Sequence, residues 1–137
     1  YQVVWFAKRY SEFFQNKKVL FVVINPYMLK WIEDIPNEYI HFGDYDLAGV
    51  SIYINKILPR LKKAKKHSMF IPENIEELLE KSDNFKLFTN QQRYKNITST
   101  DKEVNNLIDL IKKYKVGLEQ EGLKYMAKLF IVSDSNQ

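Results

Sequence analysis

No cysteine occurs among the 137 residues. That excludes a disulfide framework and thiolate zinc sites, and it fits a reducing cytoplasm. No apolar run reaches the roughly 18 residues that a bilayer crossing needs, and no signal-peptide pattern opens the chain. The expectation is a soluble, cytoplasmic protein with no membrane partner. Internal repeats and low-complexity segments are also missing.

What remains is ordinary globular usage, with 45% apolar and 28% charged residues, enough for one domain around a single core. The first residue is Tyr1 rather than Met, so the chain reads as a piece of something longer, with other domains or subunits of a larger complex holding part of the function. The net charge of +4 is compatible with a polyanionic partner, although many unrelated proteins share such a balance.

Residues 19–24 (Val-Leu-Phe-Val-Val-Ile) form a continuous β-branched and apolar run, the pattern of a strand covered on both faces. Asn25-Pro26 ends it and starts a helix carrying Met28, Leu29, Trp31 and Ile32. A second strand is predicted over 39–42. Val50, Ile52, Tyr53, Ile54, Ile57, Leu58 and Leu61 then recur at helical spacing. A third strand is expected over 68–71, a helix opened by Pro72-Glu73-Asn74 with Ile75, Leu78 and Leu79 on one face, and a fourth strand over 85–88. The polar stretch 89–100 reads as loop. Ser99-Thr100-Asp101 supplies caps for a long helix with Val104, Leu107, Ile108, Leu110 and Ile111 at helical spacing. Gly117 interrupts it, and 118–129 reads as a further helix. Strands alternating with helices predict an α/β fold whose mostly parallel sheet has about four strands flanked by helices. The domain is set at 19–132, after a lead-in over 1–18 and before a frayed tail over 133–137.

The most informative stretch is His41-Phe42-Gly43-Asp44-Tyr45-Asp46-Leu47-Ala48-Gly49-Val50. It reads as a strand ending in two aspartates, a small-residue turn and an amphipathic helix. Residues two apart on a strand share a face, so Asp44 and Asp46 can converge on one cation. Hard divalent ions such as Mg²⁺ take carboxylate oxygens and keep waters for a phosphate partner. Gly49 lets a ligand approach the backbone, and the helix that follows offers its amino end to anions. The plainer reading is turn chemistry, because Asp at a strand end followed by Gly is common in loops.

With this motif the chain resembles a Toprim domain, the metal fold of topoisomerases and primases. The similar variant, with Gly-Asp-x-Asp-Pro-x-Gly, occurs in the A subunit of type IIB topoisomerases and in the nuclease subunit of Wadjet anti-plasmid systems; here Leu47 replaces the proline. The order of elements agrees over roughly residues 19–130. The resemblance implies a Rossmann-like sheet, Mg²⁺ (or Mn²⁺) as cofactor, DNA as partner and phosphodiester cleavage with Asp44 and Asp46 as metal ligands. Leu118-Glu119-Gln120-Glu121 is similar to a Gln-Glu pair near the end of the Wadjet-type domains, and Glu121 is favoured over Glu119 as the third catalytic carboxylate. One departure stands out. Toprim domains carry a glutamate at the tip of the first strand, where this chain has Ile24, so the site is degenerate, or another carboxylate serves, or the register differs. A catalytically inactive module that binds DNA or a partner subunit is the alternative, and a phosphoryl-accepting aspartate of a response-regulator-like domain is a third.

Arg60, Lys62, Lys63, Lys65 and Lys66 cluster at the end of the second helix, with His67 beside them. They suit phosphate contacts with a DNA backbone, and equally the negative end of a helix dipole. His41 reads as a packed core residue and His67 as a surface one. None of the nine tyrosines is marked as a nucleophile.

Overall fold

The computed structural model describes residues 20, 22 and 24–120. Asn25 opens the first helix in it. Its side-chain oxygen accepts from the N–H groups of Tyr27 and Met28, both at 3.0 Å, and Pro26 takes the first helical position, where its missing N–H costs nothing. Helix α1 (Pro26–Ile32) buries Ile32 and packs Leu29 on the core.

Strands β1 (Tyr39–His41) and β2 (His67–Met69) pair in parallel, with Tyr39 opposite His67 and His41 opposite Met69. The crossover between them is helical. Helix α2 (Leu47–Ile52) widens into a π-turn (Tyr53–Ile57) and then tightens into a 3₁₀ turn (Leu58–Arg60). Pro59 accounts for the ending: it has no N–H to return to the preceding turn, and its ring crowds the carbonyl four residues back. The helical spacing of 50–61 is therefore seen, in three different pitches.

Helix α3 (Ile75–Lys81) turns Ile75, Leu78 and Leu79 inward as expected. Helix α4 (Phe85–Asn90) replaces the strand expected over 85–88. A four-residue apolar run cannot separate strand from helix by period, and Asn84 decides the matter by capping the Leu87 N–H at 3.3 Å. The expected loop over 89–100 holds the end of α4 and a 3₁₀ turn at Gln92–Tyr94. Helix α5 (Lys102–Tyr114) starts as read, on Asp101, whose side chain accepts from Glu103 and Val104. It stops at Lys115, a left-handed residue with φ 54°, two positions before the Gly117 taken as its break.

The described part is thus a small α/β unit with a two-stranded parallel sheet and flanking helices. Leu20, Val22 and Ile24 make no strand pairing, and residues 19, 21 and 23 of the first predicted strand, with the lead-in over 1–18, lie outside the described residues. So do most of the helix expected over 118–129 and the tail over 133–137. The core joins Leu47, Val50, Tyr53 and Ile57 of the crossover to Leu78 and Leu79 of α3 and Val104, Leu107 and Ile111 of α5. No described helix is long and apolar enough to cross a membrane.

Candidate functional site

Beyond β1 the chain runs on to Tyr45, which is 1% exposed. Tyr45 exchanges both backbone hydrogen bonds with Leu118, at 2.8 and 3.0 Å, in an isolated antiparallel bridge. Its hydroxyl donates to the Phe70 carbonyl at 2.9 Å, just past β2. One residue therefore ties the aspartate turn to the sheet through its side chain and to the segment after α5 through its backbone.

Asp44 and Asp46 flank this anchor. Asp46 is buried and caps α2, its Oδ1 accepting from the Gly49 N–H at 2.6 Å. The half-buried Asp44 accepts from the Gln120 N–H at 3.0 Å. Each carboxylate is thus oriented by a backbone donor 3 or 76 positions away.

The glycines act differently from the sequence expectation. A Cβ on Gly49 would collide with the Asp44 carbonyl oxygen, and one on Gly117 would come within 2.9 Å of the Asp46 Cβ. Both spaces are filled by the protein's own turn. The amino end of α2 is engaged as well. Ala48 N–H donates to Gln91 Oε1 at 3.1 Å, Gly49 N–H to Asp46, and Val50 N–H to the Asp46 carbonyl at 3.0 Å. The expected anion site on these amides is corrected: capping has already satisfied the donors.

Glu119 is exposed, and Glu121 lies outside the described residues. Among the described residues no group of three His, Cys, Asp or Glu side chains is placed to hold a metal ion. Ile24 is half-buried and packs on the core.

A second polar cluster lies on the sheet. His41 is buried, with its ring stacked on Tyr53 at 5.0 Å between centroids and on Tyr39 at 6.2 Å. His41 Nδ1 shares a hydrogen bond of 3.1 Å with the Tyr39 hydroxyl, and Tyr53 meets His67 at 3.5 Å. Burial lowers the His41 pKa to about 4 and raises that of Tyr39 to about 12. Burial first, then the charge of Asp101, raises that of Tyr53. His41 is the packed core residue expected, and His67 is exposed.

The basic cluster divides in two. Arg60 pairs with Glu33 at 2.8 Å and Lys63 with Asp34 at 3.0 Å, which fastens the end of the crossover to the end of α1. Lys62, Lys65 and Lys66 are exposed and form no ion pair among the described residues.

Residues 26–128 match the family model of a domain of unknown function, DUF7281. The chain belongs to the DUF7281 family. No curated protein and no solved structure matches it. The DUF7281 span takes in α1, both strands and Gly49, Gly117 and Gln120, which lie against the aspartates. Three contacts around the turn escaped the sequence reading. Gln91 sat in a stretch read as loop, Leu118 bridges Tyr45 from far along the chain, and Gly117 was noted only as a helix break. No local signal marks Gln91 or Leu118, because their partners are 43 and 73 positions away.

Proposed function

We propose that this DUF7281 chain is a Toprim-like domain of a DNA-processing protein, in which Asp44 and Asp46 hold Mg²⁺ or Mn²⁺ for cleavage of DNA phosphodiesters. Wadjet-type plasmid defence and type IIB topoisomerases are the settings that the motif suggests, with other domains or subunits alongside. In this reading β1 and β2 belong to a mostly parallel sheet of about four strands.

One observation carries the proposal. Asp44 and Asp46 flank the buried Tyr45 beyond the carboxyl end of β1, and each is held by a backbone N–H. The donor set fits a hard cation, since carboxylate oxygens suit such ions and two of them leave room for waters. When bound, the ion supplies a Lewis acid that polarises a phosphate oxygen and stabilises the departing one. The chain's part is to orient. Tyr45 fixes the backbone between the carboxylates, Gly49 lets the turn close, and the Gln120 and Gly49 amides set the two side chains. Glu121 is the third carboxylate of this proposal, on resemblance.

A Mg²⁺ titration followed by thermal shift, with nicking of supercoiled plasmid in parallel, tests the reading. The expected result is metal-dependent stabilisation and nicking, both abolished by Asp44→Asn and by Asp46→Asn. A melting temperature indifferent to Mg²⁺ and Mn²⁺ overturns it. A second reading, the catalytically inactive module that binds DNA or a partner, is favoured by Ile24, which packs on the core where a catalytic glutamate is expected. Metal-linked stabilisation without nicking selects it.

A further inference from the structure

Helix α1 shows solvent two aromatic rings one turn apart, Tyr27 at 85% exposure and Trp31 at 42%. Large rings rarely stand so open without a partner, and Ile32 and Leu29 already supply the helix's inward face. Tyr27 and Trp31 are one turn apart on α1, at i and i+4, and Asp34 lies in the turn two residues past its end. Asp34 is the residue bound to Lys63, and its neighbour Glu33 is bound to Arg60. The backbone adds a tie, from Lys65 N–H to the Pro36 carbonyl at 2.9 Å. The end of α1 that carries Trp31 is therefore tied to the basic loop, and the carboxylates at the junction are paired with Arg60 and Lys63. Lys62, Lys65 and Lys66 keep their charge exposed beside it.

Exposed rings next to a strip of cations are what unpaired nucleic acid uses: bases stack on the rings while phosphates follow the charge. A duplex keeps its bases stacked inside and can use only the lysines. We propose that α1 and the loop over 60–66 form a surface for single-stranded DNA, with bases on Tyr27 and Trp31 and phosphates on Lys62, Lys65 and Lys66. This rests on the reading of the chain as a DNA-processing domain and adds the form of DNA that it holds.

The test is fluorescence anisotropy of a labelled oligothymidylate and of a duplex of equal length, titrated with this chain in EDTA. The chelator keeps the outcome independent of the aspartates, so failure of the metal proposal and failure of this one are read separately. The oligothymidylate is expected to bind more tightly than the duplex. Tyr27→Ala and Trp31→Ala each weaken it about tenfold, with the salt dependence unchanged. Tyr27→Phe and Trp31→Phe keep the rings and the affinity, which distinguishes stacking from damage to α1. Lys62→Gln, Lys65→Gln and Lys66→Gln each lower the salt slope by about one. Equal affinity for both DNAs overturns the proposal, as does wild-type binding by both alanine variants. So does sedimentation showing that the rings close a dimer which the alanine variants dissociate without any change in DNA binding.

Discussion

Gly49 sits against the Asp44 carbonyl so closely that the oxygen occupies the space of a β-carbon. The contact is with backbone, which cannot swing aside as a long side chain can. Gly49→Ala must therefore open the turn, and that move also stretches the cap from Asp46. The expected cost is about 1–3 kcal/mol, in the range of overpacked buried sites. Urea unfolding of the two proteins measures it, and a loss below ~1 kcal/mol means that the turn is looser than described.

How much of this was legible in the sequence follows from how far apart the partners lie. Asn25-Pro26 and Asp101 announced the starts of α1 and α5 because a cap acts within three residues of itself. The Asp44–Asp46 turn was legible for the same reason. Its meaning was only half readable: Gly49, taken as an opening for a ligand, is filled by the chain's own carbonyl. The bridge between Tyr45 and Leu118 and the hydrogen bond from Ala48 to Gln91 depend on tertiary closure, which no local pattern encodes. At Phe85 and Phe88 a short apolar run was compatible with both periods, and Asn84 decided between them. Pro59 was visible but unused, and the change of pitch after Ile52 went unforeseen.

Asp46 has a structural duty that must be separated from metal binding. Asp46→Ala removes the α2 cap and is expected to cost about 1–2 kcal/mol with no metal present. Asp46→Asn keeps a side-chain oxygen for the Gly49 N–H and should cost less than half of that. Under the proposed function both lose the Mg²⁺-linked rise in melting temperature. Thermal scans with and without Mg²⁺ on the two variants make the comparison. Equal destabilisation by Asn and Ala in EDTA would remove the cap from the account.

His41 predicts how stability depends on pH. Its pKa falls from the ordinary 6.5 to about 4 because burial between Tyr39 and Tyr53 disfavours the charged ring. Above pH 6.5 the imidazole is neutral in both the folded and unfolded chains, and it contributes no slope. Between 6.5 and about 4 the unfolded chain binds a proton that the folded one refuses, so stability falls as the pH is lowered. Below about 4 both forms are protonated and the loss levels off. The full shift amounts to roughly 3 kcal/mol. Carboxylates titrate in the lower part of the same window, so the difference between wild type and His41→Phe isolates the imidazole. Urea midpoints at pH 7 and pH 5 in the two proteins should diverge, with the wild type losing more on acidification. Parallel loss in both would mean that the ring is solvated enough to take its proton in the folded state.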